Sequence, residues 1–544
     1  MTCYWVERIV SRNCFPFQGR RKNDLYLVYT MKVALICLMM CSALGEDVRA
    51  QTINRTYSFL PYKTSIFTSI VVTDSCYYIT GIVADSVWPY NAGALFVKTD
   101  LDGNPLIIKG LTDQVNLYET WFQSLSSDSE GNLVTQGYNF AQDTNYLFFI
   151  KYDSKGNILA LTDFCANPGS VKEVPDDMVR YSNDQYLVCT SVSNDGINSE
   201  LWVVKLDHDG VLQFSKKTAS NVPETGLNHI TTTPDGGFLI GGLGSNHNLV
   251  AKNVKMQIVL TKLDSLGNKE WVYLSPANED WLGTWGGLVV NEDHEIVFGT
   301  AKGTAIPINS SSEYFVWDWC IVKMDANKNI LWKTFFKPTV DSITEVDQHL
   351  WNMIALRDQK GYVAVGQNFT PGPLWQGWLV KVAENGDSLW MRSYNFDGLN
   401  IVYELKDIKE DSDGNLVMVG EYRDVSGGDV GQKAWLLKVD QYGCLVPGCQ
   451  LVNTEDIDSE EINLLLYPNP ANDFLSFYCS FSPVLKDMTY SITDYQGHVL
   501  FHSGIISNNA TNIYSVENFA PGPYFLQLTS GNQLVKSEKF IVVH

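Results

Sequence analysis

Aromatic and acidic side chains cluster in the stretches of this chain that lack strand patterning. They run Tyr118, Glu119 and Trp121; Asp176 and Asp177; Glu279, Asp280, Trp281 and Trp285; His349 and Trp351; Tyr403 and Glu404. Trp88, Tyr90, Trp317 and Trp375 add four more rings. Flat rings stack on sugar faces and carboxylates accept sugar hydroxyls, so these residue types suit a glycan site. The ligand-binding set expected from sequence is Trp121, Trp281, Trp285, Trp351, Tyr403, Trp375, Asp177 and Glu404. The competing reading is that the tryptophans fill gaps between packed sheets.

Catalytic chemistry has thinner support. Paired carboxylates can act as general acid and base, but 61 acidic residues make a chance pair unremarkable. His229, His247 and His349 could converge on a metal, yet they come from distant segments without local ligand spacing. The turns beginning at Asp100, Asp207 and Asp411 read D-x-D-G, like the start of a calcium loop, but the bidentate glutamate that would close one is missing. Turn chemistry explains them better, so calcium stays a secondary candidate and no cofactor is expected. No serine elbow, phosphate loop or dinucleotide fingerprint occurs.

The scaffold that must position these residues is a repeat. An apolar strand ending in lysine, an aspartate-glycine turn and a second strand recur seven times, with lysines at 98, 151, 205, 262, 323, 381 and 438. ALFVKTDLDGNPL from Ala94 and AWLLKVDQYGCL from Ala434 are the first and last copies. Lys328 replaces the turn glycine in the fifth copy, and Ala383 the aspartate in the sixth. Ahead of each lysine phrase lies another strand, usually ending in glycine: Gly81, Gly137, Gly242, Gly299, Gly366 and Gly420, with Thr190 in the third copy. Four short strands repeated seven times predict an all-β, seven-bladed β-propeller of four-stranded blades over residues 51–450. The segment from Thr56 to Leu60 is expected to supply the outer strand of the last blade, removing an exposed edge. Tight turns fall on one face and the variable connections on the other, which makes the second face the one free to bind.

Composition bounds the partners. With 39 basic and 61 acidic residues, the net charge of −22 disfavours nucleic acid. From Met31 a lysine, an apolar run and Val48-Arg49-Ala50 form an export signal cleaved after Ala50, too short to span a membrane. The first 30 residues read as a spurious upstream extension. Cys444 and Cys449, in CLVPGC, are expected to form a disulfide after export.

After an acidic linker at 451–461, residues 462–544 carry about seven short alternating strands, which predicts a small β-sandwich. Tyr467-Pro468-Asn469-Pro470, the turn at Gly497, Gly522-Pro-Tyr524 and the terminal KFIVV resemble the C-terminal type A sorting domain of the type IX secretion system. The resemblance implies a Bacteroidota source, export to the cell surface or beyond, and the secretion machinery as partner. The repeats resemble the secreted propellers of that phylum. Together these readings predict an exported, non-catalytic module that binds a glycan or a surface protein. A polysaccharide hydrolase or lyase, and a purely structural surface protein, are the alternatives.

Overall fold

The computed structural model describes residues 52–445 and 462–543 apart from short segments, the longest being 219–227, 246–255 and 337–347. Trp88, Tyr90, Trp121, His247, Cys449, Gly497 and the N-terminal 51 residues lie outside the described residues. The chain is all-β, with one short 3-10 turn at Ser182–Asp184 among the described residues.

Among the described residues between 53 and 439 the strands form seven antiparallel sheets, four strands wide along their main path. The first contains Thr64–Val72, Tyr77–Ala84, Ala92–Thr99 and Pro105–Leu111, in chain order. The last pairs Ile401–Glu410, Leu416–Asp424 and Gln432–Val439, and takes its fourth strand from Ile53–Tyr57 at the other end of the repeat region. Thr56 lies opposite Trp435 and Tyr57 opposite Ala434. The fourth strand comes from the expected region but is shifted toward the N-terminus: it runs Ile53–Tyr57, sharing only Thr56 and Tyr57 with the expected segment, and Ser58 to Leu60 lie beyond its end.

Burial explains why the strands look different in sequence. Middle strands are enclosed on both faces, as in Tyr186–Ser193, and read as continuous apolar runs. Fourth strands such as Ile158–Phe164 alternate, one face packed and one exposed. The core is divided among interfaces between successive sheets. One cluster (Phe67, Ile79, Leu95, Val417 and Leu436 among its members) joins the last sheet to the first. First strands also pack against the first strands of both neighbouring sheets, which makes the arrangement propeller-like.

The repeated lysine has a structural use. Lys151, Lys262, Lys323 and Lys438 are buried, and each meets a carboxylate: Asp128 at 3.0 Å, Asp235 at 2.9 Å, Glu295 at 2.7 Å and Asp411 at 3.0 Å. Lys98, Lys205 and Lys381 are only half-buried. Lys98 and Lys205 lie over the rings of Tyr78 and Tyr181, and Lys381 donates to the Gln441 carbonyl. A buried ammonium needs a counter-charge, and the burial of each copy follows whether it has one.

Two glycine positions carry geometric constraints. In the turn after the lysine, Gly210 has φ +82°, and a Cβ there would lie 2.3 Å from the Phe149 ring of the preceding sheet. Lys328 adopts the same left-handed conformation, φ 69°, with its ammonium over Trp271. The second position is the strand-ending glycine. A Cβ on Gly420 would sit 1.8 Å from the Glu404 carbonyl oxygen, and one on Gly366 would sit 1.7 Å from that of His349. The first strands bulge just beyond these carbonyls, at Leu405/Asp407 and Leu350/Asn352. In the fifth sheet the pairing of Lys323 with Val297 puts Thr300, not Gly299, at this place. Gly420→Ala is expected to cost about 1–3 kcal/mol, the range for overpacking, as a lowered denaturation midpoint. Deleting residues 51–57 uncovers the edge of Gln432–Val439 and should lower the melting temperature and cause aggregation, followed by light scattering.

Residues 462–543 form two further sheets. One orders Ile462–Tyr467, Phe474–Phe481 and Ala510–Ser515; the other orders Val499–His502, Met488–Asp494, Gly522–Ser530 and Gln533–Val542. Leu475, Phe477, Ile492, Leu526, Leu528 and Phe540 are among the core residues of this module.

Candidate functional site

The first strands carry polar residues inward, and their bulges turn these into links between sheets. Asp407 has no exposure and accepts hydrogen bonds from Ser69 Oγ (2.8 Å), Ile70 N (2.9 Å), Asn352 Nδ2 (2.7 Å), Ile408 N (2.8 Å) and Lys409 Nζ (2.7 Å). One carboxylate therefore ties the sixth, seventh and first sheets together. Ser69 Oγ also accepts Leu125 N from the second sheet at 3.1 Å. Asp177 has the matching role in the third sheet, accepting Met178 N and Ile230 N, with His229 Nδ1 at 3.4 Å.

Beside this belt, where the fifth, sixth and seventh sheets adjoin, aromatic and charged groups meet. Trp285, His349 and Trp351 lie in near-parallel planes. Centroid separations are 6.2 Å for Trp285–His349, 5.7 Å for His349–Trp351 and 6.5 Å for Trp285–Trp351. All three rings are half-buried. The Trp285 indole N–H is buried without a hydrogen-bond partner among the described residues. The Lys406 ammonium lies 4.6 Å from the Trp351 centroid and bonds the Glu404 carboxylate. Glu404 also receives the Gln367 amide on both oxygens, in the orientation its neighbours require, and Arg423 stands 3.7 Å away. Glu421 accepts Gln432 Nε2 at 2.8 Å and lies 3.8 Å from Lys406. Burial raises the Glu421 carboxyl above the usual range, and the charge of Glu404 raises it further, against the pull of Lys406 and Arg423.

The expected ligand residues divide between this cluster and the core. Trp285 and Trp351 are in the cluster. Trp375 is half-buried at the start of its strand, opposite Phe369. Trp281 is fully buried, with the ammonium groups of Lys302 and Lys333 over its ring and its N–H on Glu279. Tyr403 is equally buried, packed edge-on against Trp435 at 4.9 Å. In this conformation neither ring offers a ligand any surface. Asp177 serves the belt and Glu404 the ion cluster. Sequence reasoning missed Lys406, Glu421, Arg423 and Gln367. Repeat position alone could have flagged Glu421 and Gln367, which follow the strand-ending glycine where other copies carry Ile82, Tyr138 or Leu243.

The aspartates of the D-x-D-G turns accept their own turns' amides: Asp100 Oδ1 takes Asp102 N and Asn104 N, and Asp411 Oδ1 takes Asp413 N and Asn415 N. Cys444 is disulfide-bonded; its expected partner Cys449 lies outside the described residues.

In the C-terminal module the motif residues hold the last strand. Asn469 donates to the Lys539 carbonyl at 3.1 Å and accepts Ile541 N at 3.0 Å. Two residues on, Ala471 bonds the Ile541 carbonyl and the Val543 amide. Tyr524 OH reaches back to the Ala520 carbonyl at 2.7 Å, after Gly522. Pro468 and Pro470 flank Asn469, and Tyr467 is exposed.

Residues 465–543 match the secretion system C-terminal sorting domain family. The C-terminal module is a type IX sorting domain, which implies a Bacteroidota source. The protein is secreted to the cell surface or the extracellular space and engages the type IX machinery through this module. No helix among the described residues is long and apolar enough to cross a membrane. No curated protein sequence matches the chain. Among solved structures, a polysaccharide lyase, an ulvan lyase bound to its oligosaccharide, aligns at 8% identity and TM-score 0.45, over 72% of this chain and 97% of the lyase. A protein of unknown function from Dyadobacter fermentans aligns at 11% and 0.41, over 60% and 98%. The WD40 domain of SCAP from fission yeast aligns at 8% and 0.35, over 72% and 99%. Likeness this distant carries nothing about activity.

Asp176, in the bulge beside Asp177, gives a pH test of the interior. Burial pushes its carboxyl up to about 6, against the lowering bonds from Asn228 and Ser191. A folded pKa above the unfolded 3.8 means the native state loses stability as pH rises through that window, about 3 kcal/mol by pH 7. The melting temperature of Asp176→Asn should therefore gain on the unsubstituted protein between pH 4 and 7. A constant difference would show that Asp176 does not titrate there.

Proposed function

We propose that residues 51–450 close into a seven-bladed propeller, carried out of the cell by the sorting domain at 462–544, and that this propeller binds a glycan without cleaving it. The observation that supports the site is the half-buried stack of Trp285, His349 and Trp351, whose Trp285 N–H has no partner among the described residues. Rings in this arrangement offer an apolar surface for a sugar face, and an unpaired buried donor is relieved by a ligand oxygen. Lys406 lies over the Trp351 ring, held by the buried Glu404, and the half-buried Arg423 beside Glu404 is the polar group nearest solvent that can fix a ligand's orientation.

A second reading, hydrolysis or elimination on a polysaccharide, has one observation in its favour: Glu404 and Glu421 adjoin, and the second is pushed toward its protonated form. Against it, both carboxyl groups are buried and already held by Lys406, Gln367 and Gln432. The purified exported protein should be screened on a glycan array and each hit then incubated for product. Intact bound glycan, with affinity at least tenfold weaker in Trp285→Ala, is the expected result. Cleaved glycan would establish the second reading. Absence of binding would leave a protein ligand or a structural role.

A further inference from the structure

The sorting domain carries an exposed sheet face that its own core does not require. In the three-stranded sheet, Leu464, Leu475, Phe477 and Cys479 point into the core. The alternate positions point outward, and register brings them together: Tyr467 lies opposite Ser476, which lies opposite Ile513, while Leu465 lies opposite Tyr478. Four apolar side chains are exposed on this face: Leu465 at 55%, Tyr467 at 48%, Phe474 at 54% and Ile513 at 67%. Its other positions are serine, threonine, asparagine and Tyr478, so the face carries no charge. Exposed sheet faces normally carry charge and polar alternation; the second sheet of this module also exposes apolar residues, Ile541 at 40% and, just past its last strand, Val543 at 45%, but sets Lys539 and Gln527 among them.

We propose that this face is where the sorting domain docks on the type IX secretion machinery, against an apolar, uncharged protein surface. Of the motif, Tyr467 lies on this face, whereas Asn469 and the adjacent Ala471 are bonded to the terminal strand. In a chain of net charge −22, a face without charge is suited to neither an ionic partner nor a polyanion. It is suited to a partner that buries apolar area, and the module's family supplies one, the machinery that must capture it.

The test uses the full chain in a type IX-competent bacterium. The double substitution Leu465→Thr with Ile513→Thr keeps strand-compatible residues while removing the apolar surface. Ile513→Lys changes a single exposed position, and Ser537→Lys on the other sheet is the control. Exported protein should fall at least tenfold for the double substitution and for Ile513→Lys, with protease-resistant, signal-cleaved protein retained in the periplasm. Ser537→Lys should be exported normally. Normal export of both face variants would overturn the proposal, as would an equal block by Ser537→Lys. If the purified protein sediments as a dimer that Ile513→Lys dissociates while export is unchanged, the face belongs to a second copy and the proposal fails.

Discussion

The bulge in the first strands is the constraint on which much of the repeat region depends. It presses a backbone carbonyl against the neighbouring strand, where Gly366 and Gly420 leave room for it and where, in the third sheet, Thr190 instead donates its hydroxyl to the Val174 carbonyl. It also turns the side chain beyond it toward the adjacent sheets, which is how Asp407 comes to accept groups from two of them as well as from its own strand. A carboxylate with no exposure is tolerable only because its donors include an ammonium and two backbone amides. The sheets are thereby fixed to one another by directional bonds as well as by the non-directional packing of their apolar faces. Lysines at the far end of the third strand repeat the principle: the copies that are buried have carboxylate partners, and those without stay half-exposed.

Much of this was legible in the sequence because framework residues recur. The lysine, the turn glycine and the strand-ending glycine are set by local geometry that every sheet shares, so they are periodic. Their period led to the four-stranded sheets and to a closing strand from the start of the repeat region, which the structure places at Ile53–Tyr57 rather than Thr56–Leu60. The first strands were harder to see. Ile401–Glu410 contains Glu404, Lys406, Asp407 and Lys409, and a strand with that many charges looks like a connection. Its polarity reflects the belt and ion cluster it builds, not exposure to solvent. The same misreading put Tyr403 and Asp177 on loops, whereas both lie inside strands and are buried.

Trp281 and Trp285, four residues apart, show where sequence ceases to discriminate. Both precede the short strand Leu288–Val290, and either ring could stack on a ligand. Trp281 instead lies beneath two lysine ammonium groups with its N–H on Glu279, fully satisfied. Trp285 has no partner for its N–H among the described residues and lies beside two other rings. The difference arises from side chains distant in sequence, Lys333 on one side and Trp351 on the other. No window short enough to read as a motif contains both.

The two parts of the chain obey the same division. In the repeats, the periodic residues hold sheets together, and the aromatic stack sits at positions the period does not mark. In the sorting domain, Asn469 substitutes for a strand residue by pairing its side-chain amide with the terminal strand, and Tyr524 anchors the turn before its own strand. These are the residues by which the family is recognised, and their hydrogen bonds are internal. A recurrent residue is recurrent because the fold requires it, which leaves its polar groups committed. Binding must then fall to side chains that the framework leaves uncommitted, which vary in type and escape pattern recognition. That is why the fold of this protein was readable from its sequence while a binding site was not.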